Sequence, residues 1–363
     1  MSVEGADGKD AGRGQQASRA TLADVAKRAG VSIATVSYVM NERAGAGPGT
    51  RANVLRIAEE LGFRPNRVAS GLRTGRTQVL GLVLADITNP FYPEIAGGVI
   101  AAAAEAGFEI FLSHSGDSGK LDGDEVRALC DQQCAALIFT SLVVSDGPML
   151  ADVVPADVPI VQTVRRIPGL AADFVGIDDR AGAREAAAHL VGLGHRDVGL
   201  LTGPSFSSAS RDRVLGFSEA LEDAGIVLTP QRVIECQLTV DSGYLGAERL
   251  LAGHPGPPGA VLCGNDLIAI GAIDAFLDHG LTVPGDISVV GYDDIWVSSS
   301  RLVQLTTVRQ PRHEMGRAAV ALAFERLADV DVEPREVILP HQFVARRTTA
   351  APAPTHTPAV SAA

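Results

Sequence analysis

Several polar and aromatic side chains follow apolar, strand-like segments, which is where ligands bind in open α/β sheets. These residues are Asn89, Phe91, Tyr92, Arg165, Ser207 to Arg213, Asn265, Asp266 and Asp293. Aromatic rings can cover the apolar face of a sugar, while Arg, Asn and Asp side chains pair with neighbouring hydroxyl groups. The pattern predicts a pocket for a small, hydroxylated ligand.

Some of these acidic positions also have a purely structural interpretation. Asp293 can cap a loop, and Asp178 and Asp179 precede a helix, so that N-capping competes with ligand binding for them. His195 follows a glycine that ends a helix, and we interpret it as structural.

The sequence shows no arrangement of catalytic groups. It contains no G-x-S-x-G elbow, no H-E-x-x-H, no Walker motif and no G-x-G-x-x-G. Cys130 and Cys134 lack a second pair or a nearby His, so the cysteines are predicted to be free thiols. We therefore expect binding without turnover, no metal and no cofactor. A sugar-processing α/β enzyme is the alternative, which turnover assays would test.

Charge is unevenly distributed along the chain. Residues 20–76 hold nine Lys and Arg against four Asp and Glu, whereas the whole chain has a net charge of −12. A basic segment on an acidic body predicts that only this segment contacts a polyanion.

The basic segment begins with the pattern of a short amphipathic helix. Thr21 and Asp24 can form a capping box at its start. Its apolar face is formed by Leu22, Val25, Ala26 and Ala29. Gly30 then permits a tight turn.

A second short helix is predicted over Ile33–Met40, with Ser32 as its cap. Val36 and Val39 would face the first helix. The residues left on the outside are Ile33, Ala34, Thr35, Ser37 and Tyr38. Two short helices joined by a glycine turn indicate a helix-turn-helix, whose second helix enters the DNA major groove.

Two further elements are predicted in this segment. A third helix runs from Pro48, a residue suited to a first helical position, to Leu61. After Pro65 comes NRVASGLRTG, a basic stretch with Leu72 exposed. A helix this short is unstable alone, so it should order only on a template such as the DNA minor groove.

From Val79 onward, apolar strand-like runs alternate with amphipathic helices, which indicates parallel α/β sheets. The predicted strands are VLGLVLAD, FEIFLSH, ALIFT, PIVQT, VGLLTG, VIECQ, AVLCG and ISVVGYD. Helix ends are predicted at Gly107, Gly194, Gly225 and Gly280. About ten strands exceed one ordinary sheet, so we predict two doubly wound lobes with a cleft between them.

These patterns divide the chain into four segments. Residues 1–19 and 350–363 read as disordered tails. Residues 20–76 form the helical DNA-binding segment, and residues 77–349 form the two-lobed α/β domain. The chain has no secretory signal and no apolar run near the roughly 20 residues that span a bilayer, so we expect a cytoplasmic protein without membrane contact. A solute-binding protein for transport is disfavoured by the same observations and by the basic segment.

Several motifs together resemble the lactose-repressor (LacI/GalR) family of bacterial transcription regulators. They are TLADVAKRAGVSIATVSYVMN, RPNRVASGL, LGLVLADITNPFY, GHRDVGLLTGP, GNDLIAIGAIDAF, GDISVVGYDDI and LTTVRQP. The resemblance extends from Thr21 to about Arg347. It implies a helix-turn-helix headpiece, a hinge helix and a two-lobed core like a periplasmic sugar-binding protein.

The resemblance also implies a function. A homodimer would bind double-stranded palindromic operator DNA and repress genes of sugar or carbon metabolism. A small sugar-like effector would close the lobes and release the protein. A corepressor or a partner protein remains the alternative, and the sugar-like pocket favours an inducer. The small-residue segment Glu94 to Ala106 is a candidate dimer contact, with ordinary packing inside its own chain as the alternative.

Functional residues follow from the resemblance position by position. Residues matching base-reading positions are Ile33, Ala34 and Tyr38, and those matching phosphate contacts are Ser32, Thr35, Ser37 and Asn41. On the hinge helix lie Asn66, Ala69 and the wedge Leu72, and the predicted DNA-binding set is completed by Leu22 and Arg73. The residues matching ligand contacts are Asn89, Phe91, Tyr92, Arg165, Arg213, Asn265, Asp293 and Gln310.

The chain departs from the family pattern at several positions. Val164 stands where many sugar-binding members carry Asp, and Leu238 where some carry an aromatic residue. Both changes put any particular sugar in doubt. Ser207 and Ala209 lack the polar and cationic groups of purine-binding members, which argues against a purine corepressor. Gly71, inside the hinge helix, should weaken that helix when it is free.

Overall fold

A computed structural model of the chain describes residues 20–40, 45–63, 77–116, 120–253, 256–329 and 331–352. Its contacts divide the chain into two compact units, Met1–Gly75 and Arg76–Ala363, which we call the headpiece and the core. Within the described ranges, no helix is long and apolar enough to cross a membrane.

Helices and strands are numbered separately along the chain. The helices are α1 Leu22–Ala29, α2 Ile33–Met40, α3 Pro48–Glu60, α4 Phe91–Glu105, α5 Gly123–Asp131, α6 Gly147–Val153, α7 Asp179–Leu193, α8 Ser208–Asp223, α9 Val240–Ala252, α10 Asp266–Asp278 and α11 Arg312–Ala328. The strands are β1 Val79–Leu84, β2 Glu109–His114, β3 Ala136–Phe139, β4 Ile160–Thr163, β5 Asp173–Ile177, β6 Val198–Thr202, β7 Val233–Glu235, β8 Ala260–Cys263, β9 Ser288–Val290, β10 Thr307–Arg309, β11 Glu336–Leu339 and β12 Gln342–Val344.

Within its described residues, 20–40 and 45–63, the headpiece has three helices around a small apolar core. The predicted capping box starts α1: the amide of Thr21 donates to Asp24 Oδ2 at 2.8 Å, and the amide of Asp24 donates to Thr21 Oγ1 at 3.3 Å. Gly30 ends α1 at φ 68°, a left-handed conformation that favours glycine. The core residues are Val25, Ala26, Val36, Val39, Val54, Ile57 and Ala58. The predicted helix-turn-helix is confirmed.

The core consists of two lobes with parallel sheets. The first lobe has six parallel strands in the order β11-β5-β4-β3-β1-β2, with α4 and α11 packed together. The second lobe has four parallel strands in the order β7-β6-β8-β9. An antiparallel pair, β10 with β12, adds a third, two-stranded sheet.

All eight predicted strand segments contain a strand, but four strands were missed. β5 is fully buried and carries the apolar sequence signal that could have found it. β10 and β12 have only three residues each, and β11 alternates between exposed and half-buried positions. β9 covers only Ser288–Val290 of the predicted strand ISVVGYD, and Asp293, the last residue of that segment, has a positive φ of 114° that is incompatible with a strand.

The C-terminal segment is ordered further than predicted. The amide of Ala350 donates to Ser288 Oγ at 3.0 Å, and its carbonyl lies 2.9 Å from Nε2 of His195. The prediction that the C-terminal tail is disordered from residue 350 onward is therefore wrong for Ala350. The same contacts confirm that His195 has a structural role.

Glycines allow three helix pairs to approach closely. A Cβ atom at Gly98 of α4 would lie 2.0 Å from the carbonyl oxygen of His313 in α11. At Gly216 of α8 it would lie 2.1 Å from a carbonyl oxygen of α7, and at Gly271 of α10 it would lie 1.9 Å from one of α9. The close contact with α11 in the same chain thus explains why a glycine stands at position 98. For this residue of the segment 94–106, packing inside its own chain is the explanation, rather than a dimer contact.

This close approach predicts different outcomes at two neighbouring glycines of α4. Gly98→Ala should lower the free energy of unfolding by about 1–3 kcal/mol, because the methyl group must push two backbones apart. Gly97→Ala should be neutral or stabilise by up to about 1 kcal/mol, because its nearest neighbour would be a side-chain atom at 4.0 Å. Urea unfolding followed by circular dichroism measures both. Equal effects would contradict the close contact of α4 with α11.

Candidate functional site

The start of α2 presents residues predicted to read DNA. Ser32 precedes the helix, and its Oγ accepts a hydrogen bond from the amide of Thr35 at 3.0 Å, as predicted for a cap. Ile33 and Tyr38 are 53% and 46% exposed, and Ala34 is exposed as well. Ser32, Ile33 and Ala34 lie at the N-terminal end of α2, which is the part that meets base edges in a helix-turn-helix, and Tyr38 is exposed about one and a half turns further along the helix.

Two predicted DNA-contacting residues contribute to the headpiece core. The prediction that Ser37 lies on the outside is wrong, because its side chain is buried next to Val36 and Val39 of the same helix. Leu22 is half-buried against the same core. The predicted DNA contacts outside the described residues are Asn41, Asn66, Ala69, Leu72 and Arg73.

In the core, a small, partly open cavity lies where strand ends of both lobes meet. Its lining residues are Asn89, Phe91, Tyr92, Val164, Arg165, Ser207, Ala209, Ser210, Arg213, Leu238 and Asp293. Six of the eight predicted ligand-contacting residues are in this lining, and Asn265 and Gln310 are not. The rule that ligands bind beyond the carboxyl ends of parallel strands therefore located the cavity.

Arg213 of α8 is the centre of a buried charge cluster beside the cavity. Its Nε donates to Oδ1 of Asp179 at 2.8 Å, and its Nη1 lies 3.5 Å from Oδ1 of Asp293. Nη1 also donates to the carbonyl of Gly264 at 2.7 Å. The guanidinium carbon lies 3.8 Å from the ring centroid of Tyr292. The cluster fixes four separate chain segments around one cation.

Burial alters the proton affinity of the two carboxyl groups in this cluster. It raises the pKa of Asp293 to about 6, although the nearby Arg213 and Arg312 act in the opposite direction. Burial likewise raises the pKa of Asp179. A carboxyl group that titrates near pH 6 can either accept or donate a hydrogen bond to a ligand hydroxyl.

The two predicted residues outside the lining lie next to this cluster. Gln310 donates from Nε2 to Oδ1 of Asp293 at 2.7 Å, so it holds the carboxylate. Asn265 follows Gly264 in the chain and caps α10, with its Oδ1 accepting from the amide of Ile268 at 2.8 Å. Its Nδ2 is buried and has no hydrogen-bond partner among the described residues. A buried donor without a partner costs about 1–3 kcal/mol, which a ligand or water can offset.

A third set of contacts joins the two lobes near the cavity. The guanidinium carbon of Arg165 in the first lobe lies 5.9 Å from the ring centroid of Phe206 in the second lobe, and its Nη2 donates to the hydroxyl of Tyr92 in its own lobe at 3.2 Å. The amide of Arg166 donates to Oγ of Ser208 at 2.9 Å. Phe206 was missed because the predicted segment after β6 began one residue later.

Two further acids near the cavity are structural. Asp178 Oδ1 accepts from the amide of Ala181 at 2.8 Å, which confirms its N-capping role. Asp266 is fully buried and accepts hydrogen bonds from the hydroxyl groups of Ser298 and Thr307, both at 2.6 Å. Asp266 is absent from the cavity lining and ties α10 to neighbouring loops.

Comparison with known proteins places the chain in a family. The family model "Bacterial regulatory proteins, lacI family" matches residues 21–66, and the model "Periplasmic binding protein-like domain" matches residues 187–349. The HTH-type transcriptional regulator DegA of Bacillus subtilis is 32% identical over 333 residues, which cover 91% of this chain and 98% of DegA. The chain belongs to the LacI family of bacterial regulatory proteins.

Solved structures extend this similarity to the whole fold of this LacI-family chain. A lac repressor dimer bound to operator and the anti-inducer ONPF has a TM-score of 0.82 and 30% identity, over 92% of this chain and 99% of the repressor. A CelR–cellobiose complex has a TM-score of 0.69 and 33% identity, over 91% and 100% of the two chains. The predicted family and fold class are confirmed. The protein is a DNA-binding transcription regulator, and its family consists of regulators rather than enzymes.

The thiols of this LacI-family regulator are shielded. Its four cysteines are free, and three are buried. Burial raises the pKa of Cys134 to about 12 and that of Cys236 to about 11. Where the structure describes the chain, no group of three or more His, Cys, Asp or Glu could hold a metal ion.

Asp266 should make the stability of this regulator depend on pH. Its pKa is raised to about 7, chiefly by burial, from the 3.8 of an ordinary Asp. The folded state therefore binds this proton more tightly than the unfolded state does. The stabilisation is complete below about pH 4 and is lost as the pH rises to 7, with a slope of at most about 1.4 kcal/mol per pH unit.

Asp266→Asn should reduce this slope by the contribution of Asp266 and leave that of Asp293, whose pKa is raised to about 6, and urea unfolding at a series of pH values between about 5 and 7.5 measures the difference. The control is Asp286→Asn. The pKa of exposed Asp286 is lowered by hydrogen bonds from Thr282, so this group does not titrate in that window. The assignment fails if the Asp266→Asn profile keeps the slope of the unchanged protein.

Proposed function

We propose that this protein is a cytoplasmic, homodimeric repressor that binds a two-fold symmetric operator and is released by a small sugar-like effector in the cavity. One observation carries the proposal. A single chain combines an exposed helix-turn-helix surface in one compact unit with a cavity of polar and aromatic side chains in the other. Relatives include the ribose operon repressor of Haemophilus influenzae, 31% identical over 330 residues, so the proposed targets are sugar or carbon-metabolism genes.

The chemistry of the cavity supports a sugar-like effector. Phe91 and Tyr92 form an edge-to-face pair with ring centroids 5.2 Å apart, which offers an aromatic wall to an apolar sugar face. Arg213 and Asp293 offer a donor and an acceptor for neighbouring hydroxyl groups. Because this chemistry suits a nutrient sugar, we favour an inducer over a corepressor. Regulation by a corepressor or a partner protein is the second candidate. The relatives include repressors named PurR that are about 30% identical, so this second candidate is tested alongside the first.

An exposed apolar patch on the second lobe supports the homodimer. Leu302 is 98% exposed and Leu277 is 54% exposed. They line a groove together with Ile270, Ile273 and Val303. Exposed apolar patches mark protein–protein contacts, and two-fold dimers bury the same patch on both subunits. We assign this patch, rather than the small residues of α4, to the partner copy.

Binding without turnover completes the proposal. The charged groups at the cavity are held by each other: Arg213 pairs with two carboxylates, and Gln310 bonds Asp293. A nucleophile next to a base is what covalent or acid–base chemistry would require. An assay of sugar turnover with the purified protein would reveal a sugar-processing enzyme instead.

Tyr38→Ala should relax sequence preference across an operator library, because a base contact discriminates by about 1–3 kcal/mol. Leu55→Ala is the matched control, since Leu55 is also 46% exposed but lies on α3. Gel shifts on operator variants measure the sequence preference of both variants. In the same assay, the unchanged protein should bind the full palindrome more tightly than one half-site. The proposal is wrong if Tyr38→Ala keeps the full preference or if the half-site binds as tightly as the palindrome.

Asn265→Ser should weaken effector binding about tenfold or more, because it removes the unpaired Nδ2 donor without adding a buried charge. The variant keeps a side-chain oxygen that can cap α10, so the fold should survive. A thermal-shift screen of monosaccharides and disaccharides identifies the effector, and titration compares the two proteins. Operator binding without effector should be unchanged. A variant that responds at the same sugar concentration would exclude Asn265 from the site.

A further inference from the structure

Arg312, the first residue of α11, lies between the two lobes of the core. Its side chain is only 10% exposed, and all three guanidinium nitrogens donate hydrogen bonds. Two of these bonds reach the end of β9 in the second lobe, and the third reaches α4 in the first lobe. Neither the DNA-reading surface nor the cavity lining includes this residue.

On one side, Arg312 holds a strained turn. Asp293 and Asp294 both have positive φ values, which side-chain-bearing residues rarely adopt. Nη1 of Arg312 donates to the carbonyl of Asp293, and Nη2 donates to that of Asp294 at 2.9 Å. The carboxylate of Asp294 is already bound by Arg309 and Arg346. Arg312 therefore donates a hydrogen bond to each of the two carbonyl groups of the turn.

On the other side, Arg312 reaches the cavity wall of the first lobe. Its Nε donates to Oε2 of Glu94 at 2.8 Å. Glu94 lies in the first turn of α4, just after Phe91 and Tyr92, which line the cavity. One guanidinium thus connects the backbone of the turn that carries Asp293 with the helix turn that carries both aromatic rings.

We propose that Arg312 is a positioning residue that makes these two walls of the cavity move as one. A displacement of the Asp293–Asp294 turn is transmitted through Arg312 and Glu94 to the start of α4. A displacement of the start of α4 is transmitted to the turn by the same contacts. The coupling itself needs neither DNA nor effector. Only its use in an effector response rests on the proposed function.

A second ion pair between the same helices provides the matched control. Arg317 of α11 donates to both carboxylate oxygens of Glu105 in α4, at 2.9 and 2.8 Å. Both side chains are largely exposed and neither contacts the turn after β9. Removing this ion pair weakens the contact between α4 and α11 without touching Arg312. It therefore tests whether every weakened contact between these helices increases hydrogen exchange in the turn.

Hydrogen–deuterium exchange of the full chain, read by mass spectrometry, tests the coupling. The reporting peptides cover residues 89–97 and 291–297. Amides in the second peptide are hydrogen-bonded: that of Asp293 donates to Val308 and that of Ile295 to Asp266, at 2.8 and 2.9 Å. Local opening of such a segment appears as faster exchange.

Glu94→Gln, a change on α4, should speed exchange in residues 291–297 about threefold, because a charge-assisted bond to Arg312 is weakened. Arg312→Gln should speed exchange in both peptides about tenfold. The double variant should match Arg312→Gln alone, since both changes act through one contact. Glu105→Gln should leave residues 291–297 unchanged.

The proposal is overturned if Glu94→Gln leaves residues 291–297 at the original rate, or if Glu105→Gln speeds them equally. Should Arg312→Gln fail to fold, Glu94→Gln decides alone, because Glu94 is 39% exposed and its amide replacement keeps the shape of the side chain. An unchanged protein that fails to bind any operator would refute the proposed function and leave this exchange result standing.

Discussion

The core depends on one interaction, the burial of the Arg213 guanidinium between Asp179 and Asp293. A buried ion that loses its partner costs about 3–5 kcal/mol, so the three groups must stay together in the folded state. They come from α7, α8 and the turn after β9, and the carbonyl of Gly264 adds the end of β8. The charge requirement therefore fixes the relative position of four strand or helix ends, and the cavity lies where these ends meet.

The same requirement explains why the cavity is small and polar on one side. Gln310 completes the coordination of Asp293, so this carboxylate is held in place before any ligand arrives. Preorganised polar groups bind a ligand without ordering costs of their own. The unpaired Nδ2 of Asn265 is the exception, and it lies beside the cluster rather than within it. A ligand that satisfies this donor gains a bond that the empty protein cannot make by itself.

The sequence predicted the parts of this arrangement that depend on local rules. Strand ends located the cavity, and capping signals located α1 and α2. It did not predict that Ser37 is buried, because the helical pattern of α2 alone does not show which of its faces other parts of the chain cover. It also left the role of Asp179 open between helix cap and ligand contact, since its partner Arg213 is 34 residues away. The short edge strand β11 has only four residues, too few to show a clear alternation of apolar and polar positions. Tertiary partners, not local preference, decided each of these cases.

The division into two compact units means that any effector response must be an energetic coupling. To move a two-state equilibrium from 1:99 to 99:1, an effector must bind one arrangement about 10⁴-fold more tightly, or about 5.5 kcal/mol. A hydrogen bond to a charged group contributes about 1.5–3 kcal/mol, so about two to four such bonds that differ between arrangements suffice. Bonds to Arg213, Asp293 and their neighbours are of this kind. With uncharged partners only, at about 0.5–1.5 kcal/mol per bond, about four to eleven bonds would have to differ between the two arrangements. Because such a coupling is reciprocal, operator DNA must lower the affinity of the cavity for its effector by the same factor. Buried charge in the wall is thus the means by which a small ligand can outweigh a large DNA interface.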